Sequence, residues 1–180
     1  VETKDKDGVL PRVTIDNISA SYEGTKYLLD KGLSKPAFIG VKQDTMNAWG
    51  DRFVGFEKAL EEEGINIDEE LVYFDNLKVK TGYEAVEKFI GSNKKFDSIV
   101  CASDEIAIGA INKLREKGYN VPEDISVIGF NNNHVSSYFN PRITTISQPS
   151  YDMGSVAMRM LIKLLNKKEL EQGHYVLDYQ

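Results

Sequence analysis

The stretch that decides the fold runs from residue 98 to residue 149 and begins Ser98-Ile99-Val100-Cys101-Ala102-Ser103-Asp104-Glu105-Ile106-Ala107-Ile108-Gly109-Ala110. It continues with Val121-Pro122-Glu123-Asp124-Ile125-Ser126-Val127-Ile128-Gly129-Phe130-Asn131-Asn132, and then Pro141-Arg142-Ile143-Thr144-Thr145-Ile146-Ser147-Gln148-Pro149. Two short apolar runs each pass into small polar residues, with helical spacing between them. In an open α/β sheet the carboxyl ends of such strands are where a ligand sits.

The same alternation extends outward in both directions. Helices are expected over Ser19–Lys31, Trp49–Glu63, Thr81–Ile90 and Glu105–Lys117, with Gly32, Gly64 and Gly118 as stops. Strands are expected at Ala37–Val41, Leu71–Phe74, Ser98–Ala102, Ile125–Ile128 and Ile143–Ser147. Phe53, Phe56 and Leu60 mark the buried face of the second helix. Asp104 is read as the cap of the fourth, because a carboxylate there accepts orphan backbone N–H groups and meets the positive helix end. A long amphipathic helix follows at Tyr151–Leu165, and a last strand begins at Tyr175-Val176-Leu177. Its Met153 and Met160 fall on a stripe read as core packing. Alternating strands and helices of this kind imply a parallel sheet flanked by helices, an α/β fold.

The composition fits a soluble globular chain. Of 180 residues, 41% are hydrophobic and 28% charged, enough to bury a core without disulfide staples. The formal net charge of −6 argues against DNA binding by this segment itself, since backbone phosphates call for an excess of Lys and Arg. No apolar run approaches membrane-spanning length, and the first residues carry no signal-peptide pattern. A lone Cys101 in an apolar strand favours a reducing cytoplasm. The chain starts at Val1 without Met and stops within a strand pattern at Gln180, so it reads as a fragment.

Several further segments occur in fixed order with those quoted: Val13-Thr14-Ile15-Asp16-Asn17, Phe38-Ile39-Gly40, Arg52-Phe53-Val54-Gly55-Phe56, Gly82-Tyr83-Glu84-Ala85 and Gln148-Pro149-Ser150-Tyr151-Asp152-Met153-Gly154. Together they resemble the effector-binding domain of the lactose-repressor/galactose-repressor (LacI/GalR) family of transcription regulators. The resemblance implies a periplasmic-binding-protein-like (type I) fold in two lobes, with a small-molecule effector in the cleft between them. It also implies that about half of a family member precedes this chain, including a helix-turn-helix. On this mapping residues 1–32 are the remainder of the N-terminal lobe and 33–140 the near-complete C-terminal lobe. Residues 141–168 form a crossover strand and helix of the N-terminal lobe, and 169–180 a return strand to the C-terminal lobe.

The resemblance carries site residues over one by one. Arg52 matches an arginine that reaches into the cleft, where its planar fork of donors suits adjacent hydroxyls or a carboxylate. Without the resemblance it reads as an exposed helical arginine in a surface pair. Its removal is expected to abolish effector response and leave the fold intact. Asn131 stands where the family usually has Asp, replacing a charged double acceptor by one acceptor and one donor group. That change opens the site to a phosphorylated sugar or other anion; otherwise Asn131 simply fills a turn. Ser103 either touches ligand or helps to cap the following helix, and Asp104 beside it either caps or touches ligand. Leu77 falls where relatives often stack an aromatic ring. Trp49, the only tryptophan, is a substitute platform for a sugar face or a packing residue at its helix start. Met46 and Ala48 shape the same loop, and Gln148 is a hinge or supporting residue at the lobe crossover. The family's frequent Gly-His after the first helix is Gly32-Leu33 here.

Three functions compete. The first is the effector-sensing domain of a bacterial, cytoplasmic transcription regulator. It would bind a sugar or phosphorylated sugar, act as a homodimer away from membranes, and reach operator DNA only through its helix-turn-helix. The alternative is a periplasmic or extracytoplasmic sugar-binding protein for transport or chemotaxis. Catalysis is disfavoured: there is no Gly-rich phosphate loop, Gly-x-Ser-x-Gly or His–carboxylate set. His134 and His174 lack companions at ligand spacing, so neither a metal nor a cofactor is expected.

Overall fold

The computed structural model describes residues 10–41 and 48–180. Five parallel strands make the main sheet: β2 (Pro36–Gly40), β3 (Val72–Phe74), β4 (Ser98–Cys101), β5 (Ser126–Asn131) and β6 (Thr144–Ser147), in spatial order β3-β2-β4-β5-β6. Ile99 lies opposite Ala37 on one side and Val127 on the other, so β4 is central and wholly buried. A strand buried on both faces must be a continuous apolar run, and this is why Ser98–Cys101 and Pro36–Gly40 lack polar alternation.

From β2 the chain moves one way to β3 and then reverses through β4 to β5. Right-handed crossovers therefore place α2 (Ala48–Glu62) on one face and α3 (Val79–Gly91) and α4 (Asp104–Glu116) on the other. The helix α1 (Asn17–Leu29) packs beside α2, while α3 and α4 pack together. On the α2 face Phe38, Phe53, Phe56 and Phe74 cluster, with Phe38 and Phe53 ring centroids 5.0 Å apart in an edge-on arrangement. Phe89, Ile106, Ile111 and Leu114 fill the core of the α3–α4 side.

A second, two-stranded parallel sheet pairs β1 (Arg12–Thr14) with β7 (His174–Val176), Val13 opposite Tyr175. The long helix α6 (Ser150–Leu165) lies against β1. A short helix, α5 (His134–Tyr138), fills part of the β5–β6 connection.

Every helix and strand expected from the sequence is present within a few residues. Three assignments of elements to lobes differ from the pairing found. First, β6 was expected in the N-terminal lobe, yet it hydrogen-bonds along β5, Phe130 opposite Ile146 and Asn131 opposite Ser147. Second, α1 was placed with residues 1–32, but it packs on α2 over the main sheet, where the Ser21 hydroxyl donates to the Arg52 carbonyl at 2.6 Å. Third, β7 was expected to return to the C-terminal lobe; it pairs with β1, and it is Gln180 that reaches the main sheet, donating to and accepting from the backbone of Ser147. Hydrophobic period shows that a strand exists and not which strand it joins, because pairing is a long-range choice.

Candidate functional site

Strand order reverses between β2 and β4, and the carboxyl ends of those strands open on the crevice that such a reversal creates. Arg52, on the second turn of α2, reaches beneath this crevice. It is 1% exposed. Its Nε donates to Asn17 Oδ1 at 3.0 Å and its Nη1 to the carbonyl of Ala102 at 2.6 Å. The guanidinium lies 3.7 Å from the centroid of the Phe130 ring. A buried cation is tolerable where carbonyl and amide oxygens and an aromatic face replace water. One side chain thus joins the start of α1, the exit of β4 and the exit of β5.

At the exit of β4, Ser103 is buried and its hydroxyl accepts from the Ile106 amide at 3.3 Å. Ser103 is the N-cap of α4, the role expected of Asp104. Both residue types cap well, so composition alone could not separate them. Asp104 is the first residue of the helix and is fully buried. Its Oδ2 accepts from the Asn133 amide and its Oδ1 from the Thr145 hydroxyl, both at 2.6 Å. Burial raises its pKa, with the Thr145 hydroxyl and the Asn133 amide pulling the other way.

At the exit of β5, Asn131 has a left-handed φ of 102° and its Oδ1 accepts from Gln148 Nε2 at 2.6 Å. This bond ties the end of β5 to the segment leading into α6. Arg52, Ser103, Asn131 and Gln148 therefore gather along the β4–β5–β6 edge. Trp49 is half-buried one helical turn before Arg52. Ala48 is buried and lines a different hollow of about 230 Å³, bounded by Arg12, Thr14, Asp16, Asn17, Asp51 and His174. Leu77 follows β3 and packs against the core. Three strand spacings, about 14 Å, separate β3 from β5, so Leu77 stands apart from Asn131. Met46 lies outside the described residues.

The sequence reading missed four residues that shape this edge: Asn17, Phe130, Thr145 and Asp16, whose carboxylate caps α1 through the Ser19 amide at 3.0 Å. All four sat within quoted motifs, but nothing in their type or spacing marked them out from their neighbours. Leu33, the departure after α1, packs against the core. His134 stacks on Tyr138, and His174 hydrogen-bonds Thr14. Among the described residues no three His, Cys, Asp or Glu side chains gather as a metal site, and no helix is long and apolar enough to cross a membrane.

Residues 25–179 match the profile of the periplasmic binding protein-like domain. The chain belongs to this family. Within it, the chain is 64% identical over all 180 residues to the HTH-type transcriptional regulator RegA of Clostridium saccharobutylicum, of which it covers 54%. It is 34% identical over 172 residues to catabolite control protein A of Priestia megaterium, covering 95% of this chain and 52% of that protein. The solved transcription regulator CcpA of Lactococcus lactis superposes with a TM-score of 0.91 at 36% identity, over 99% of this chain and 65% of that one. A transcriptional regulator CelR–cellobiose complex superposes at 0.88 with 29% identity, over 95% of this chain and 52% of that one. The chain thus spans about half the length of the curated relatives it matches. These periplasmic binding protein-like relatives are regulators, which agrees with the LacI/GalR resemblance and favours the regulator over the transport reading.

Proposed function

We propose that this chain is the effector-sensing domain of a cytoplasmic bacterial transcription regulator that responds to a sugar or sugar derivative. The observation that carries the reading is the 64% identity across its whole length to a helix-turn-helix-type regulator. The edge geometry supports it. Arg52 and the Asn131–Gln148 pair join the β1–α1 and β6–α6 connections to the exits of β4 and β5. A ligand held here by Asn131, Gln148 and Trp49, beside Ser103, biases how the β1–β7 layer sits on the main sheet. It does so only by its difference in affinity for the two arrangements. In the homodimeric full-length protein that bias reaches a helix-turn-helix on the operator, and the domain itself performs no catalysis.

The test measures binding of the full-length protein to its own promoter DNA by fluorescence anisotropy, with and without glucose, cellobiose, maltose and glucose 6-phosphate. The expected result is a change of about tenfold or more in DNA affinity with one of these, a coupling of ordinary allosteric size. Asn131→Ala should remove the response and leave DNA affinity without sugar unchanged. A protein that binds its promoter equally with every one of these compounds, or does not bind it, overturns the proposal.

A further inference from the structure

The turn that leaves β5 is built around a buried carboxylate on another element. Asn131 and Asn132 have φ of 102° and 53°, two consecutive non-glycine residues in left-handed conformation. Such a pair persists only where its surroundings fix it. The two amides at and after Asn132 both lead to Asp104. The Asn133 N–H donates to Asp104 Oδ2 at 2.6 Å. The Asn132 N–H donates to Thr145 Oγ1 at 3.3 Å, and that hydroxyl donates to Asp104 Oδ1 at 2.6 Å. One N–H of the left-handed turn thus reaches a carboxylate of α4 directly and the N–H before it reaches the same carboxylate through the Thr145 hydroxyl. Gly129 makes this possible, since a Cβ there would stand 2.3 Å from Asp104 Oδ1.

We propose that Asp104 is a positioning residue of the candidate effector site, holding the Asn131–Asn132 turn so that the Asn131 side chain meets Gln148. Asp104 has no ligand to touch from its buried place; it acts through Asn131. The role of the residue in the site rests on the effector reading above, but the geometry it imposes does not. Asp104 and Thr145 form one device on two elements, and removing either member should release the same turn.

The experiment uses this chain labelled with ¹⁵N, with the side-chain amides of Asn131 and Gln148 assigned by NMR. Thr145→Val keeps shape and removes the hydroxyl; Thr145→Ser keeps the hydroxyl; Asp104→Asn removes the charge. In Thr145→Val and Asp104→Asn, the Asn131 and Gln148 side-chain amide signals should move to the positions of exposed amides. Backbone exchange at Asn132 and Asn133 should quicken about tenfold or more, as when a local hydrogen-bonded unit opens. Thr145→Ser should restore the wild-type signals. Should Asp104→Asn not fold, Thr145→Val decides. A merely structural role predicts lower stability with both side-chain signals unmoved, and that result overturns the proposal. No ligand enters this readout, so its failure is distinct from failure of the promoter titration.

Discussion

Arg52 carries a full charge in a place where almost no water reaches it. Arg52 shares one face of α2 with Ala48, Gly55, Phe56 and Ala59, all buried, where the residues alone suggested an exposed arginine. The sequence reading expected Arg52→Ala to leave the fold intact, and its burial changes that expectation. Truncation strands the Ala102 carbonyl and the Asn17 amide oxygen in the core and empties the space over Phe130. Arg52→Ala should therefore lower stability by about 3 kcal/mol as well as remove effector response. Arg52→Lys should fall between, because an ammonium cannot bridge Asn17 and Ala102 as a planar fork does. Urea unfolding followed by circular dichroism measures both. An alanine variant as stable as the wild type would mean that Arg52 does not bridge these elements. The Asn131–Gln148 bond was less legible: the two residues lie 17 apart, and nothing but the β5–β6 register brings them together.

At the scale of elements, the contact between α3 and α4 depends on missing side chains. A Cβ at Gly109 would stand 1.8 Å from the Val79 carbonyl oxygen, and one at Gly82 would stand 1.9 Å from that of Ile106. The two helices meet backbone to backbone at these points, so relief would require moving a whole helix off its partner. Gly109→Ala should destabilise by about 3 kcal/mol or more, although alanine is the better helix former by about 1 kcal/mol. A thermal melt distinguishes the outcomes, since propensity alone predicts a rise in Tm and the close approach a marked fall. Gly109 and Gly82 were visible in the sequence as motif residues, but their reason was not, because a glycine inside a helix pattern does not say what it faces. Strands fared better. Buried parallel strands are unbroken apolar runs, so β2, β4 and β5 stood out, while β1, with three residues, and α5, with five, were too short to carry a period.

The whole molecule has two unequal parts in energetic terms. The main sheet has five strands with helices on both faces, and its central strands are wholly buried. The other layer has only β1 and β7, three residues each, beneath α6. Of the sixteen residues of α6 only Met153 and Met160 are buried, while Tyr151 is 86% and Leu165 73% exposed. A two-stranded pair is marginal by itself, and apolar area left in water contributes nothing to holding it. This layer should therefore open without the rest. In native-state hydrogen exchange the amides of β1, β7 and α6 should exchange at least about a hundredfold faster than those of β2 and β4, a difference ordinary between separate cooperative units. Equal protection throughout would mean that the links at Arg52 and Gln148 make the two layers one unit. In a full-length protein, about twice as long in the relatives, covering the exposed face of α6 should slow the same amides while leaving β4 unchanged. A difference confined to this layer would locate the effector's leverage at the exits of β4, β5 and β6, where the stable sheet meets the part that can move.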